Sequence, residues 1–409
     1  MPNHRRSTAS ATRLTPLLHA LFFVAAATQS AIVPLLPRLN HAYALSPASD
    51  ALLLAAPGLA TLAVSIPAGA FADRLGARRV TIAATGLMAI AAMAQAAPAY
   101  PVLIAGRLAF GLAYGILWTT GVAWLAASQH EAGSPRLGAV ATSAAVGMVA
   151  GPAIGGLLAD EIGLSAPFLI VAGLGIALAL ALLTQPAPPS RPTHHTEPST
   201  RPRDLARLVN EHPGVLTAAA VLAIGGAVGG VTQLLVPLEL HRAGFSASAT
   251  GVAFSSAAGA YILVSALVVR LGRRATTVRA AAFAGLGLAL SLVPGTFETG
   301  AGGLIGMLLL TTVPRAVVST VSYPLATESA ASTGLGAGLV IGLLNGTWAT
   351  GLVLAPLLAG ALDQAAGPSA AYLVAIVPGA LGALWLTRRP RLHSPPALQV
   401  IEVAADPTY

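Results

Sequence analysis

The strongest constraint on this chain is a series of twelve apolar segments, each close to the ~20 residues that a helix needs to cross a bilayer. Hydrophobic residues make up 55% of the chain and charged residues only 9%, whereas a soluble domain carries roughly 25% charged residues. The sequence therefore predicts an all-α membrane protein with twelve transmembrane helices. The segments are 14–37, 48–71, 79–98, 101–127, 136–159, 164–184, 213–238, 247–269, 275–294, 301–326, 334–361 and 369–387.

The longest interruption of the apolar pattern separates six segments from six. It is rich in Pro, Ser, Thr and Arg, a composition that cannot bury a core, so we predict a flexible cytoplasmic linker at 185–212. The other predicted domains are a cytoplasmic N-terminal tail, two six-helix bundles and a cytoplasmic C-terminal tail, at 1–13, 14–184, 213–387 and 388–409.

The arginines predict the orientation of the chain. All 22 basic residues are arginine. If the N-terminus is cytoplasmic, 18 of them lie on the inner side and only Arg38 and Arg242 on the outer side, while Arg107 and Arg315 lie within spans. Because positive residues favour the cytoplasmic side, we predict that both termini are cytoplasmic. We expect the plasma (inner) membrane of a bacterium, and the net charge of +8 reflects topology rather than nucleic-acid binding.

The first apolar segment has some features of a secretory signal. It follows Arg5 and Arg6, and Ala25–Ala27 resembles a small-residue cleavage site. The apolar stretch nevertheless continues to Leu36, so we interpret it as an uncleaved first span.

The two halves of the sequence resemble one another. The Gly/Pro-rich pattern of the fifth segment recurs in the eleventh at an offset of 204 residues, with Pro356 in the place of Pro152. Pro34 likewise has a counterpart in Pro237, and Arg74-Leu75-Gly76 recurs at 270–272. Parallel half-repeats of this kind place a binding site at their interface, near the middle of the bilayer.

The loop between the second and third segments reads Gly69-Ala-Phe-Ala-Asp-Arg-Leu-Gly-Ala-Arg-Arg79. Asp73 ends one helix and Arg78 begins the next, and both positions are unfavourable with respect to the helix dipoles. Partners elsewhere in the fold are therefore expected. A loop that only sets topology is the alternative.

This loop resembles the G-x-L-A-D-R-x-G-R-R signature of the major facilitator superfamily, with Phe71 and Ala77 as departures. The resemblance implies two six-helix bundles of that fold. It also implies a conformational lock in which Asp73 meets the cytoplasmic end of the eleventh span. The residues of the lock would be Gly69, Asp73, Arg74, Gly76, Arg78 and Arg79.

Arg107 opens the fourth span and lies on the order of 9 Å inside its outer end, at 1.5 Å per residue. An intramembrane charge is a functional candidate by default, although a side chain that snorkels to the interface is the alternative. The stretch from Arg107 to Gly111 looks like the R-x-x-x-G pattern of the same superfamily. That resemblance implies a role in proton coupling, for which Arg107 and Asp73 are the candidates.

The fifth span carries glycines at every fourth position, which leave one helix face flat and let a neighbouring helix approach closely. Pro152 removes a backbone donor and favours a bend, so the span is a candidate hinge. Ordinary helix packing is the alternative interpretation. The pattern resembles the antiporter signature G-x-x-x-G-P-x-x-G-G and is similar to that of the twelve-span drug:proton antiporters. Its residues are Gly147, Gly151, Pro152, Gly155 and Gly156.

Two departures bear on the substrate. No Asp or Glu lies at mid-depth in any predicted span, and Arg315 lies on the order of 20 Å from the outer end of the tenth span. One hypothesis is a positive cavity that takes a neutral or anionic substrate. In the other, Arg315 binds carbonyls freed by Pro314 or pairs with Glu328. Candidate cavity residues are Gln29, Trp118, Gln233, Arg315, Tyr323, Asn345 and Trp348.

The resemblance implies a secondary transporter that exports a small organic molecule, a drug or a metabolite, by proton-coupled alternating access. An uncoupled facilitator and an uptake symporter remain open, because no midplane carboxylate is present. The sequence has no Cys, no nucleotide-binding loop and no catalytic motif, so we expect neither an enzyme nor a cofactor or metal. The expected partners are the substrate, a proton and lipid, but not nucleic acid, and we expect a monomer.

Overall fold

The computed structural model describes residues 3–128, 135–186, 212–271, 277–297, 299–330 and 337–388. Within these ranges, the side chains of 3–13, 65–66, 69–70, 73, 126–127, 135–139, 271 and 337–339 are not described. The helices are α1 Asn3–Tyr43, α2 Pro47–Leu75, α3 Ala77–Gln95, α4 Tyr100–Ala127, α5 Pro135–Glu161, α6 Ala166–Leu183, α7 Pro213–Arg242, α8 Ala247–Leu271, α9 Val278–Leu290, α10 Ala301–Ala330, α11 Ala337–Ala366, α12 Pro368–Ala371 and α13 Leu373–Arg388, with a 3-10 turn at Val293–Thr296.

The predicted twelve-helix membrane architecture is confirmed. Twelve helical segments are long and apolar enough to cross a bilayer, and every regular element within the described ranges is helical. The ninth segment joins α9 to the 3-10 turn, and the twelfth joins α12 to α13. Most of the predicted linker, 187–211, lies outside the described residues. We call the two ends of the bundle inner and outer according to the orientation predicted from arginine.

Local sequence explains the sharp turns at both ends of α2. The Ser46 hydroxyl accepts a 3.2 Å bond from the Ser49 amide, and Pro47 follows as the first helical residue, an arrangement that satisfies the free amides of a helix start. At the other end Gly76 has φ = 87°, which a residue with a Cβ rarely adopts. One glycine thus separates α2 from α3.

Small residues allow α1 and α5 to pack with their backbones in contact. A methyl group added to Gly147 would overlap the Phe23 carbonyl oxygen, and one added to Gly151 would overlap that of Ala27. The second half repeats this contact between α7 and α11, where Gly351 lies against the Ala223 carbonyl. Since lipid provides no hydrophobic drive for helix association, such close packing is a main source of cohesion.

The two halves meet along two helix pairs near the outer end. In the first pair, Gly156 of α5 lies against Ala247 of α8, and Gly251 of α8 lies against Pro152 of α5. In the second pair, a methyl group on Gly360 of α11 would lie 2.5 Å from the Pro47 carbonyl oxygen of α2. The two halves are therefore in close backbone contact at the outer end.

The hydrophobic core has the same arrangement. One buried cluster joins residues of the second half to the outer parts of α1 and α2, including Ile32, Leu36 and Leu53. A separate cluster fills the inner part of the first half and includes Leu18 and Phe110. The halves therefore share a core at the outer end, whereas the inner part of the first half has its own.

We expect Gly151→Leu to lower the free energy of unfolding by about 1–3 kcal/mol, because an overpacked core must shift its backbone. Thermal unfolding of purified protein in detergent, followed by size-exclusion chromatography, measures the change. The matched control is Gly173→Leu in α6, where no atom lies within 4 Å of an added methyl group. Equal melting temperatures for the two variants would contradict the packing role of Gly151.

Candidate functional site

The larger cavity lies in the second half of the molecule, between α7, α8, α10 and α11. It has a volume of about 520 Å³, within the ~300–1,000 Å³ typical of small-molecule sites. Its walls combine apolar, aromatic and polar side chains with one charged residue. They are Leu222, Gly225, Tyr261, Ile262, Ser265, Arg315, Val318, Ser319, Thr320, Tyr323, Asn345 and Trp348.

Arg315 supplies the charge in this cavity. Its guanidinium carbon lies 5.4 Å from the centre of the Tyr261 ring, a cation–π distance. The Tyr261 hydroxyl donates a 2.8 Å bond to Ser319, which fixes the ring. Among the residues that the structure describes, the one ion pair joins Arg38 to Asp160, so Arg315 has no acidic partner there.

Four of the seven predicted cavity residues line this space, namely Arg315, Tyr323, Asn345 and Trp348. The other three lie elsewhere. Gln29 is on α1, and its buried Oε1 has no partner among the residues described. Trp118 packs edge-on against Phe22 with ring centres 4.8 Å apart, and Gln233 is on α7. The roles of all seven stay predictions.

Sequence reasoning missed Ser265, whose buried hydroxyl has no partner in the described part of the chain. It lies in a strongly apolar stretch of α8, and no pattern in that stretch distinguishes it from serines that bond to their own helix. Only the positions of α7, α10 and α11 place it on a cavity wall.

A polar latch joins the halves at the outer end. Asp160 at the end of α5 pairs with Arg38 of α1 at 3.2 Å and accepts a 2.7 Å bond from the Ser248 amide. Ser248 is the second residue of α8, where amides lack a partner within the helix and the dipole favours an anion. Arg38 also donates to the Ala159 carbonyl. The carboxylate of one half thus caps a helix of the other.

A second polar group lies where α2 meets α11. Asp50 is fully buried and accepts a 2.5 Å bond from the Asn40 amide group, while its Oδ1 has no partner in the described part of the chain. Gly360 of α11 lies against Pro47 and Ala51 of α2, and Asp363 follows Gly360 within the same helix. Asp50 and Asp363 therefore lie on the two helices of one interface between the halves.

The same polar group continues into α7. Glu239 accepts a 2.9 Å bond from the Tyr372 hydroxyl. Tyr100 of α4 completes the surroundings of Asp50, because its hydroxyl bonds to the Ser49 carbonyl at 3.0 Å.

Arg107 is fully buried, so the snorkelling alternative does not describe this conformation. Its Nε donates a 3.1 Å bond to the Leu53 carbonyl of α2, and its guanidinium carbon lies 5.9 Å from the Phe110 ring centre. Both terminal nitrogens lack hydrogen-bond partners among the described residues. Such an uncompensated buried charge costs several kcal/mol, which is difficult to explain by a structural role alone.

The predicted lock is described only in part. The Arg78 guanidinium donates hydrogen bonds to the Gln185 and Leu183 carbonyls at 2.7 Å and 2.6 Å. A cation at this end of α6 matches the helix dipole. The side chain of Asp73 is not among those described. The roles of Gly69 and Asp73, and the contact between Asp73 and the eleventh span, stay predictions.

The family model of the Major Facilitator Superfamily matches residues 18–340. Similar solved structures include a bacterial homologue of the human lysosomal transporter Spinster, inward-facing and unoccupied, at 17% identity and a TM-score of 0.71, covering 92% of this chain and 95% of that one. The nucleoside transporter NupG, a single-substitution variant, has 15% identity and a TM-score of 0.73, with coverage of 91% and 99%.

The Spinster homologue in its inward-facing, occupied conformation is also similar, at 16% identity and a TM-score of 0.69, covering 93% of this chain and 97% of that one. At such identities the likeness establishes the fold alone. No curated protein sequence matches the chain significantly.

We expect Asp160→Ala to weaken closure of the outer side by about 1 kcal/mol, the range of a partly exposed charge-assisted contact. Thr250, which is 1% exposed on a small cavity beside the latch, reports closure as Thr250→Cys because the chain has no Cys. An impermeant maleimide should label this position about fivefold faster in Asp160→Ala. The control is Glu161→Ala, which removes the neighbouring exposed carboxylate, and equal labelling of the two variants would contradict the latch.

Proposed function

The chain belongs to the major facilitator superfamily and is a transporter of small molecules, and on that premise we propose that it is a proton-coupled exporter. In this proposal it moves a small organic molecule outward by alternating access. The observation that carries the proposal is that the halves are held together at the outer end by the α5–α8 and α2–α11 pairs, while the cavity lies further toward the inner side.

The geometry of α5 supports alternating access. One of its faces lies against α1 of the same half through Gly147 and Gly151, and another lies against α8 of the opposite half through Gly156. The Ala153 amide, next to Pro152, bonds to Ser255 of α8 at 3.1 Å. A helix in contact with both halves can transmit movement between them, and its likeness to the antiporter signature favours export.

The opposite conformation would open the outer contacts and close the inner ends. In that conformation we propose that Asp73 forms the lock implied by the family signature, together with Gly69 and the neighbouring Arg74. The two conformations would then each be stabilised by a carboxylate at a helix end, Asp160 at the outer side and Asp73 at the inner side.

Asp50 and Asp363 support proton coupling. They lie on α2 and α11, which pack against each other between the halves, and Asp50 is fully buried with no partner for its Oδ1 among the described residues. A buried carboxylate without full hydrogen bonding is costly unless it is neutral. A proton taken up from outside would remove this cost. Arg107 bonds to the Leu53 carbonyl, one helical turn from Asp50, and is the candidate for passing this change to α4.

The place of the protein in the cell belongs to the same proposal. Twelve membrane-spanning helices make it a multi-pass membrane protein. A cell membrane with both termini inside is supported by the arginine distribution, which puts 18 of the 22 basic residues on one side.

Export is tested in cells that lack their own exporters, with a panel of radiolabelled metabolites and drugs. We expect expressing cells to accumulate less of at least one compound, and a protonophore should abolish the difference. Export that persists with the protonophore would indicate a facilitator, and raised accumulation would indicate an uptake symporter. Either result would overturn the proposal.

The proton step is tested without a known substrate, through labelling of Thr250→Cys from outside. Because closure takes up a proton in this proposal, labelling should slow by about tenfold as the external pH falls from 8 to 5, after normalisation to the exposed position Ser165→Cys. Asp50→Asn, which stays neutral, should be labelled slowly at every pH. Glu161→Gln is the control and should keep the dependence, and a dependence that survives Asp50→Asn would refute the role of Asp50.

A further inference from the structure

The cavity in the second half has a positive charge that no described residue compensates. Arg315 is the one charged residue among the twelve that line it. The acidic side chains in the described part of the protein all lie near helix ends, at Asp50, Asp160, Glu161, Glu239, Glu328 and Asp363. A cation inside a membrane protein is costly and is normally paired, so this arrangement favours an anionic occupant.

The position of Arg315 leaves its N–H groups available to such an occupant. Its contact is with the face of Tyr261, which uses the charge but none of the hydrogen-bond donors. Tyr261 is fixed by its bond to Ser319, and Ser319 in turn donates to the Ala316 carbonyl at 3.2 Å. The guanidinium is therefore oriented in advance and retains the paired donors that match a carboxylate.

The other polar groups of the cavity also have donors to spare. Tyr323 donates to Oδ1 of Asn345 at 2.6 Å. This bond uses the oxygen of the Asn345 amide, and the amide protons on Nδ2 can bond to a ligand. Ser265 has a buried hydroxyl that bonds to none of the described residues. A ligand that accepts hydrogen bonds would satisfy these groups, whereas a ligand ammonium would meet like charge and donors.

The remaining walls suit a flat apolar body. Trp348, Val318 and Leu222 line the cavity together with the rings of Tyr261 and Tyr323. Aromatic side chains bind ring systems by stacked or edge-on contacts. The volume of about 520 Å³ has room for a molecule with two or more rings.

From these four features we infer that the cavity binds an aromatic carboxylate, with its carboxylate on Arg315 and its rings against Tyr261 and Trp348. This inference rests on the proposed function, because it names the class of molecule that the exporter would carry. Asn345 and Ser265 would supply further bonds to oxygen atoms of the ligand.

Three probes of nearly equal shape test the charge preference: 1-naphthoate, the neutral 1-naphthamide and the cationic 1-naphthylmethylammonium. Binding to the full chain in lipid nanodiscs is measured by titration calorimetry, with empty nanodiscs as the blank. We expect naphthoate to bind about 10- to 100-fold more tightly than the amide, the range for hydrogen bonds to a charged group, and the ammonium to bind weakest. Equal affinities, tighter binding of the ammonium or no binding of naphthoate would overturn the inference.

Variants locate the site. Arg315→Gln should remove the preference for naphthoate over naphthamide, and Arg315→Lys should keep part of it, because the charge remains but the paired donors are lost. The control is Arg279→Gln, which removes an exposed arginine at the start of α9, outside the cavity, and should bind as the unmodified chain does. A preference that survives Arg315→Gln would overturn the inference. If Arg315→Gln does not fold, two measurements still test the inference: the three-probe comparison on the unmodified chain, and the naphthoate preference of Arg315→Lys.

Failure of the inference and failure of the proposed function give different results. If naphthoate binds through Arg315 but no compound is exported in a protonophore-sensitive way, the anion site stands and the exporter proposal fails. If a compound is exported in that way but naphthoate does not bind, the exporter stands and the anion site fails.

Discussion

Close approach of helix backbones is the constraint on which the rest of this structure depends. In lipid, apolar side chains gain nothing by turning away from the solvent, so helices associate by dense packing and by polar contacts. Glycines provide the packing within each half, where α5 meets α1 and α11 meets α7, and between the halves, where α5 meets α8 and α11 meets α2. The same two helices, α5 and α11, make the contacts within and between the halves. The stability of each bundle and the closure of the outer side therefore depend on two faces of the same helix.

Against this apolar background, a few buried charges stand out. Arg107 and Asp50 are both fully buried, and Arg315 lines the cavity with its guanidinium over the Tyr261 ring. Each would cost less if it were neutralised or paired. A transporter that binds ligand and proton in one conformation and releases them in another has a use for such groups. In our proposal they connect occupancy of the cavity and proton uptake at the outer side to the balance between conformations.

The halves share a pattern of packing but differ in chemistry. Gly147 and Gly351 occupy matching positions, as do Pro152 and Pro356, and the two glycines make corresponding contacts with α1 and α7. The cavity residues, however, come from α7, α8, α10 and α11 alone. The first half contributes Asp160 and Asp50 to the outer interface. In our proposal the second half holds the substrate, and the first half controls access to it.

Hydropathy and arginine distribution were enough to predict twelve spans and a division into six and six, because span length is fixed by bilayer thickness and not by neighbouring helices. Glycine spacing likewise predicted a flat face on α5, since helical periodicity is local. The sequence could not show that Arg315 has no acidic partner among the described residues, or that Asp160 pairs with Arg38 and caps α8. The contacts of Asp160 join residues about 90 to 120 positions apart, and whether a charge is paired depends on which helices lie beside it. The sequence by itself therefore determined the elements and their membrane setting, and only the tertiary structure decided which charges meet.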